Sequence, residues 1–199
     1  MAKKKPEIKK TIAAIVCVEK DFGIGKGNDL IVNIPDDMKH FSRVTSGGVV
    51  IMGRKTYESL PNGALKKRTN LVITRNATGD PDNPDESGVT TITMDQAKEY
   101  LLQKAEKKEE CKVFVVGGGE VYKELIPYCE MIYLTKVLRH FDADTYFPNL
   151  DHMPEWDLIQ ADDIQEHEGI KYQFRKYKNT KIVKREKPKA TRSKKKKEE

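Results

Sequence analysis

The chain has 199 residues, 37% of them hydrophobic, which is enough to bury the core of one ordinary domain. It contains no run of about 18 apolar residues, so we expect no membrane-spanning helix. Its three cysteines form no close pair, and its four histidines show no ligand spacing on one helix. This argues against a disulfide framework and a metal enzyme, and it favours a reducing, cytoplasmic setting.

The net charge of +6 is distributed unevenly along the chain. Residues 1–10 hold five Lys and one Glu, and residues 181–199 hold ten Lys or Arg and three Glu, which leaves residues 11–180 at −5. We therefore divide the chain into a basic N-terminal extension (1–10), one domain (11–180) and a Lys-rich tail (181–199). The tail has few apolar side chains and is expected to be disordered. Weak nucleic-acid contact, nuclear entry and a purely solubilising role are all open alternatives for such basic runs.

Apolar runs of strand length alternate with helical patterns through the domain. The runs predict strands at 11–18, 47–53, 69–75, 88–92, 111–117, 131–138, 155–162 and 170–179. Helices are predicted after Pro35, at 54–60, within 94–108 and at 120–127. The alternation predicts an α/β fold with a mixed, mainly parallel β-sheet flanked by helices, and the last two strands predict an antiparallel C-terminal edge.

Ligands bind at the carboxyl ends of strands in sheets of this type, so the residues that follow strands are informative. The three glycines at 117–119 predict a phosphate-binding turn, because bare backbone N–H groups before a helix can approach an anion closely. A tight structural turn is the alternative. Arg54 and Lys55 follow the strand that ends at Gly53, and Arg75 follows the next strand. Basic residues at these positions favour NADP(H), whose 2′-phosphate Arg can accept.

The run GIGKGN at 23–28 resembles a dinucleotide-binding glycine fingerprint. It has Asn28 where the last glycine is required, and no helical pattern follows it. We interpret this run as a mobile, glycine-containing loop over a pocket.

Two adjacent aspartates occur in IPDDMKHF, at 34–41. At about 100° per residue, Asp37 lies between Phe41 and Val44 on the apolar face of the predicted helix, whereas Asp36 lies among polar residues. The same wheel places the remaining members of the buried face at Ile34, Met38 and Thr45. A buried carboxylate is unfavourable without a hydrogen-bonding partner, so Asp37 is a candidate site residue, with helix capping as the alternative.

Collectively, these residues resemble dihydrofolate reductase. The resemblance covers nearly all of residues 11–180 and is carried by VIMGRKT, VVGGGEVY and DTYFP in that order, together with GIGKGNDL, IPDDMKHF and LKKRTNLVITR. It implies NADPH-dependent reduction of 7,8-dihydrofolate to 5,6,7,8-tetrahydrofolate, by hydride transfer to pterin C6 with protonation at N5. Such an activity supports one-carbon metabolism and the synthesis of thymidylate and purines.

The resemblance also implies roles for individual residues. Asp37 matches the single active-site acid, Thr135 the hydroxyl behind it, and Arg68 the arginine that binds the α-carboxylate of the folate glutamate. The implied apolar walls are Ile15, Val16, Met38, Phe41, Leu60, Leu65 and Val116. The implied cofactor-binding residues are Cys17, Ile24, Gly25, Gly53, Arg54, Lys55, Thr56, Thr74, Arg75, Val116, Gly117, Gly118, Gly119, Glu120, Val121 and Tyr122. Asp144 and Thr145 match a loop that supports the mobile active-site loop.

One position departs from the pattern of the family. Shortly before the acid, where the family nearly always has tryptophan, this chain has Val32, which has no N–H donor to order a water molecule. A related NADPH-dependent reductase of riboflavin synthesis is an alternative, although it would not need both Asp37 and Arg68. A further alternative is a partly retired reductase fold that acts as a structural or nucleic-acid-associated protein through its basic tails. For the enzyme we expect a monomer that binds dihydrofolate and no metal.

Overall fold

The computed structural model describes residues 11–84, 88–107 and 110–184. Within these residues the α-helices are α1 (Pro35–Thr45), α2 (Arg54–Glu58), α3 (Met94–Glu106) and α4 (Gly119–Leu125). The strands are β1 (Thr11–Val18), β2 (Gly23–Lys26), β3 (Asp29–Leu30), β4 (Val49–Gly53), β5 (Thr69–Ile73), β6 (Val89–Ile92), β7 (Lys112–Gly117), β8 (Met131–Val137), β9 (Thr145–Tyr146), β10 (Trp156–Ala161), β11 (Gln165–His167) and β12 (Ile170–Asn179). Two short 3₁₀ helices occupy Ile126–Tyr128 and Leu150–His152.

Two predicted segments fall largely beyond this part of the chain. The basic extension at 1–10 lies outside the described residues, as does the Lys-rich tail from residue 185 onward. Among the helices of the described residues, none has the length and apolar character needed to cross a membrane.

Nine of the described strands form one sheet, in the order β10-β12-β8-β1-β7-β4-β5-β6, with β11 also paired to β12. The pairings from β8 across to β6 are parallel. Strand β12 runs antiparallel to β8, β10 and β11. The prediction of a mixed, mainly parallel sheet with an antiparallel C-terminal edge is therefore confirmed.

The central strands β1 and β7 are buried on both faces, as their continuously apolar sequences require. Successive residues of β1 enter different clusters. Val16 belongs to the α3-side cluster, which also contains Leu101 of α3 and Leu125 of α4. Ile15 belongs to the α1-side cluster, against which Phe41 of α1 packs. Helices thus cover both faces of the sheet, and α1 lies on the face to which Ile15 points.

Helix α1 begins directly after Ile34, which is 1% exposed and anchors its first turn. Pro35 occupies the first turn, where a missing N–H is tolerated, and the acidic Asp36 and Asp37 there interact favourably with the helix dipole. The helix ends at Thr45, whose hydroxyl donates a hydrogen bond to the Phe41 carbonyl at 2.8 Å. The start of α1 therefore fixes where the two aspartates lie above the sheet.

The GIGKGN run forms a β-hairpin, which the sequence analysis did not predict. Strand β2 pairs antiparallel with β3 and with β9, so the three strands form a small second sheet. Gly27 and Asn28 connect β2 and β3 with φ values of +60° and +72°, the left-handed values that a two-residue hairpin turn requires. These strands are too short to show an alternating pattern, which explains why the run resembles a loop. The prediction that no helix follows the GIGKGN run directly is confirmed. The mobility of the run stays a prediction.

A buried amide, Asn70 of β5, holds the segment that precedes this strand. Its side chain is 1% exposed and accepts a hydrogen bond from the Leu65 N–H at 2.9 Å. The amide nitrogen donates to the carbonyls of Leu65 (3.2 Å), Arg68 (3.0 Å) and Gly88 (3.1 Å). One side chain thus connects the 65–68 segment to the sheet and to the start of β6.

Replacement of Asn70 by alanine would leave several of these buried backbone groups without a partner. We expect Asn70→Ala to lower the free energy of unfolding by about 2–4 kcal/mol in urea titrations. The matched control is Asn83→Ala, because Asn83 makes an exposed hydrogen bond to Asp80 at 2.7 Å. This control should change the free energy by less than about 1 kcal/mol, and equal losses in both variants would contradict the bracing role of Asn70.

Candidate active site

The two aspartates at the start of α1 have different surroundings, as the helical wheel predicts. Asp36 is exposed and accepts hydrogen bonds from the Lys39 ammonium group at 3.0 Å and the Tyr172 hydroxyl at 3.3 Å. Asp37 is half-buried, and its Oδ1 accepts a hydrogen bond of 2.5 Å from the hydroxyl of Thr135. Thr135 lies on β8 and is 2% exposed. The structure therefore brings together the acid and the hydroxyl that the resemblance assigns to one site.

The environment shifts the pKa values of these acids in opposite directions. Burial raises the pKa of Asp37, and the hydrogen bond from Thr135 partly offsets this rise. The hydrogen bond and positive charge of Lys39 lower the pKa of Asp36. Burial and then the charge of Asp37 raise the pKa of the Cys17 thiol, on the strand beside Thr135. Burial thus makes Asp37 harder to ionise than an exposed carboxylate, and such shifts are common at functional sites.

Five of the predicted apolar wall residues pack on the same side of the sheet as α1. They belong to, or pack against, the α1-side cluster: Ile15, Phe41, Leu60, Leu65 and Val116. These side chains therefore belong to one apolar cluster, on the face of the sheet that carries α1 and Asp37.

Two other predicted wall residues are placed differently. The side chain of Val16 points into the α3-side cluster, because adjacent residues of a strand face opposite sides of the sheet. Met38 is 44% exposed, in contrast to its prediction on the buried face. Helix α1 rests on the sheet through Ile34, Phe41 and Thr45, and this leaves Met38 at the edge of the contact.

Arg68 lies beside Phe41. Phe41 is about one helical turn after Asp37 in α1, which corresponds to about 6 Å along the helix axis. The guanidinium carbon of Arg68 is 5.8 Å from the Phe41 ring centroid, its Nη1 donates to the Thr45 hydroxyl at 2.9 Å, and its Nε donates to the Lys66 carbonyl at 3.0 Å. Partial burial lowers the pKa of Arg68. Most of its five N–H donors are left for an anionic partner.

The contact of Thr45 with Arg68 was not predicted from the sequence. Thr45 is fully buried, and its hydroxyl both donates to the Phe41 carbonyl and accepts from Arg68. The wheel predicted its burial but not this contact. A hydroxyl at the end of an otherwise apolar stripe was the available signal, because a buried hydroxyl needs partners.

The glycine-rich junction after β7 lies beside the end of β4. Strand β7 ends at Gly117, the Gly117–Gly118 peptide bond is cis, and α4 begins at Gly119. A Cβ atom at Gly53 would lie 3.2 Å from Val121 Cγ2 and 3.9 Å from the Gly118 nitrogen. A Cβ at Gly118 would lie 3.3 Å from the Thr56 hydroxyl oxygen. Bare backbone from two turns therefore lines one cradle, which fits the close approach of a phosphate group.

The cations around this cradle differ in their availability. Arg54 forms an ion pair of 2.6 Å with Glu58. Thr74 follows β5 and binds the Ile92 carbonyl through its N–H at 2.9 Å. Arg75 is exposed, and its side chain has no hydrogen bond or ion pair with the described residues. Lys55 is also exposed, and its ammonium group likewise has no hydrogen bond or ion pair with the described residues. Arg75 and Lys55 are therefore both free to receive an added anion, and Arg75 presents the planar guanidinium.

The tip of the β2–β3 hairpin reaches this region. The Asn28 side chain donates to the Lys55 carbonyl at 3.3 Å, and the Asp144 carboxylate accepts from the Gly27 N–H at 2.8 Å. Thr145 of β9 pairs with Gly25 of β2. The structure thus brings together the predicted supporting loop and the hairpin, which also carries the predicted cofactor residue Ile24.

Val121 and Tyr122 of α4 are core residues, with 6% and 4% exposure. The Tyr122 hydroxyl donates to the Ile15 carbonyl at 2.7 Å, and burial strongly raises its pKa. Their side chains therefore attach α4 to β1, whereas Glu120 in the first turn is exposed. Any contact of Val121 with a cofactor is left to its backbone.

A bare-backbone cradle at the carboxyl ends of parallel strands, in a sheet that also carries a half-buried acid, is typical of an α/β protein that binds a nucleotide. The family model described as dihydrofolate reductase matches residues 11–179. A dihydrofolate reductase of Bacillus subtilis is 34% identical over 163 residues, covering 82% of this chain and 90% of that protein. The corresponding protein of Sus scrofa is 33% identical over 180 residues, covering 82% and 95%. That of Aedes albopictus is 36% identical over 184 residues, covering 84% and 97%.

The chain belongs to the dihydrofolate reductase family. It is therefore an oxidoreductase that uses a nicotinamide cofactor. This membership confirms the resemblance seen in the sequence and decides against the riboflavin-synthesis alternative.

The opposite pKa shifts of the two aspartates predict opposite effects on stability. The folded-state pKa of Asp37 lies above its ordinary value, so Asp37 begins to oppose folding as the pH rises above that ordinary value, and the penalty is complete above the folded-state pKa. We expect Asp37→Asn to raise the free energy of unfolding near neutral pH, and the gain should fade as the pH falls towards about 4.

Asp36→Asn is the matched control. The folded-state pKa of Asp36 lies below its ordinary value, so its carboxylate stabilises the fold above that ordinary value and loses this effect as the pH falls through the folded-state pKa. Asp36→Asn should therefore destabilise the protein throughout the range in which Asp37→Asn stabilises it. Urea unfolding from about pH 4 to about pH 8 measures both, and effects of the same sign would contradict the assignment.

Proposed function

We propose that this chain catalyses the NADPH-dependent reduction of 7,8-dihydrofolate to 5,6,7,8-tetrahydrofolate. The observation that carries the proposal is the half-buried Asp37, held by Thr135 and separated by one helical turn from the Arg68 site. A pterin ring offers an amino group and a ring nitrogen to a carboxylate, and the glutamate tail offers a carboxylate to a planar guanidinium. The spacing along α1 suits one substrate that carries both groups.

In the proposed reaction, Asp37 binds the 2-amino group and N3 of the pterin, while N5 gains a proton and C6 gains a hydride. Bound NADPH supplies the hydride. Thr135 occupies one lone pair of Asp37 Oδ1, which leaves an acceptor position on each carboxylate oxygen for the two ring groups. Because Asp37 binds the far side of the pterin, a water molecule delivers the proton to N5. The carboxylate acts by positioning the ring and favouring the positive charge that protonation creates.

The apolar side chains of the α1-side cluster exclude water from this reaction. We assign Ile15, Phe41, Leu60, Leu65 and Val116 to the walls around the pterin and aminobenzoate groups, with Met38 at the edge. A dry site strengthens the interaction between Asp37 and the ring, because fewer water dipoles screen the charges. Thr45 holds Arg68 in place for the folate carboxylate.

For the cofactor, we propose NADPH rather than NADH. The backbone of Gly53 and of residues 117–119 would approach the phosphates, and the unpaired guanidinium of Arg75 would bind the 2′-phosphate. Arg54 is already paired with Glu58, so it supplies charge at this junction but fewer free donors.

We further propose that the enzyme is a cytoplasmic monomer. The free thiols of Cys17 and Cys129 support a reducing compartment. Weak nucleic-acid contact and nuclear entry are proposals for the basic runs at 1–10 and 181–199, of which the structure describes only residues 181–184.

The test of the assigned acid is the oxidation of NADPH in the presence of dihydrofolate. We expect Asp37→Asn to lower kcat/KM by about 10²–10³-fold, the range typical of a lost electrostatic contact to the transition state. Asp36→Asn removes the adjacent, exposed carboxylate and should retain activity within about threefold. No turnover by the folded parent would overturn the proposed function, and full activity of Asp37→Asn would overturn the role of the acid.

The test of cofactor preference is a charge reversal at Arg75. Arg75→Glu should lower kcat/KM for NADPH by roughly 10- to 100-fold and have little effect on that for NADH, because only NADPH carries the 2′-phosphate. Lys178→Glu, on the exposed side of β12, makes the same change in charge far from the cradle and should alter neither value. An equal loss for the two cofactors in Arg75→Glu would contradict the assignment.

A further inference from the structure

The turn between β1 and β2 is built around a buried carboxylate, Glu19, for which neither the resemblance nor the proposed chemistry has a role. Glu19 is 0% exposed. Its Oε1 accepts hydrogen bonds from the N–H groups of Asp21 at 2.7 Å and Gly23 at 2.9 Å. Its Oε2 accepts from the Phe141 N–H at 3.3 Å and lies 3.3 Å from His140 Nδ1. One side chain thus joins the base of the hairpin to the segment that follows β8.

The two segments are in close contact at this point. A Cβ atom added at Gly23 would lie 2.4 Å from the Cβ of Ala143 and 3.0 Å from Cγ of Glu19. The hairpin base therefore has no room to shift towards the 138–144 segment. Any loosening has to separate the two, and separation breaks the hydrogen bond from the Phe141 N–H to Glu19.

A buried lysine holds the same turn from the sheet. Lys136 of β8 is 7% exposed, and its ammonium group donates to the Lys20 carbonyl at 2.8 Å. The same ammonium group lies 3.6 Å from the ring centroid of Phe22, whose φ is +67°. Lys136 thus fixes the left-handed residue through which the chain enters β2.

The contacts at the hairpin tip are exposed, in contrast to those at its base. Lys26 pairs with Asp142, and Asp144 accepts from the Gly27 N–H. Exposed ion pairs contribute little to stability, because water screens them. Hydrogen bonds to a charged group that is shielded from water are stronger, so the base holds the hairpin more firmly than the tip does.

Glu19, Asp21 and His140 have ligand atoms within 4.8 Å of one another. The Asp21 carboxylate accepts from His140 Nδ1 at 2.9 Å, and the oxygens of Glu19 face backbone N–H groups. These hydrogen bonds account for the geometry of the group, so it carries no proposal of a metal site.

We propose that Glu19 is a positioning residue for the nicotinamide cofactor, which acts by holding the β2–β3 hairpin against the cofactor cradle. The hairpin carries Ile24 and Gly25, and its Asn28 side chain donates a hydrogen bond to the Lys55 carbonyl beside the cradle. If the contacts at the base of the hairpin are lost, the hairpin covers the cradle for a smaller fraction of the time. The apparent dissociation constant of the cofactor rises in inverse proportion to that fraction. This inference rests on the proposed function for the location of the cofactor, but not for the anchoring contacts.

Two substitutions of Glu19 distinguish the hydrogen bonds of its Oε1 from those of its Oε2. In Glu19→Gln, the amide oxygen can still accept from Asp21 and Gly23, while its NH₂ group faces the Phe141 N–H and breaks the link to the loop. Glu19→Ala removes both sets of hydrogen bonds. Glu166→Gln, on the exposed strand β11, is the matched control. We expect the dissociation constant of NADPH, measured by fluorescence titration without substrate, to rise about 10-fold in Glu19→Gln, to rise further in Glu19→Ala and to stay unchanged in the control.

Hydrogen exchange distinguishes positioning from general destabilisation. The amides of residues 23–30 should exchange about 10-fold faster in both Glu19 variants, whereas those of β7 should keep the parent rate. If Glu19→Ala does not fold, Lys136→Met tests the same anchor, because it removes the bond to the Lys20 carbonyl and should raise hairpin exchange and the dissociation constant.

Two outcomes overturn the proposal. Parent-like NADPH binding and hairpin exchange in the folded variants would show that Glu19 does not hold the hairpin. Equal acceleration at β7 would show that its role is only structural. Both measurements are made without turnover, so a parent that fails to reduce dihydrofolate would defeat the proposed function and leave this test intact.

Discussion

A carboxylate that leaves water needs a hydrogen-bond donor, and for Asp37 that donor is the Thr135 hydroxyl on β8, 2.5 Å away. This contact sets the position of α1 over the sheet. Asp36, the preceding residue, then reaches Tyr172 on the adjacent strand β12, because Tyr172 pairs with Val137, two residues beyond Thr135. One turn further along α1, Phe41 comes to lie beside Arg68. The apolar stripe and the two polar ends of the pocket therefore follow from one buried contact.

The site is assembled from two kinds of surface. On the α1 side, side chains define the pocket. A ligand with both polar and apolar parts is recognised there by a carboxylate, a guanidinium and apolar walls. On the cradle side, backbone defines the pocket, because Gly53 and Gly118 carry no side chain where the ends of β4 and β7 meet. Strand β1 lies between the α1 side and the cradle side. Tyr122 of α4 connects the two sides through its hydrogen bond to the Ile15 carbonyl of β1. The parallel order of the strands places all these junctions at one edge of the sheet.

The sequence was sufficient to predict what depends on local pattern. Strand and helix positions, the burial of Asp37 and the exposure of Asp36 follow from periodicity, and the glycine-rich junction follows from composition. The helical wheel predicted that Met38 is buried, but Met38 is exposed. A wheel shows which residues share an apolar stripe, but not which part of that stripe a neighbouring element covers.

The long-range contacts could not be read from the sequence. The link from Thr45 to Arg68 spans 23 residues, and the link from Glu19 to Phe141 spans 122. A sequence pattern identifies the polar residue in each pair but not its partner. The β2–β3 hairpin was missed for a related reason, since it depends on pairing with β9 more than 100 residues later in the chain.

Val32 and Glu19 are connected through one residue, Phe141. Val32 packs against a small cluster formed by Ile34, Val137 and Tyr172, and the side chain of Phe141 packs against this cluster as well. The N–H of Phe141 is the group that Glu19 holds. The segment that anchors the hairpin base therefore also packs on the cluster that includes Val32. A valine at this position contributes apolar contact and no hydrogen-bond donor. Under the proposed function, the water that protonates N5 consequently has no side-chain donor from residue 32, and its placement depends on the hairpin that covers the site.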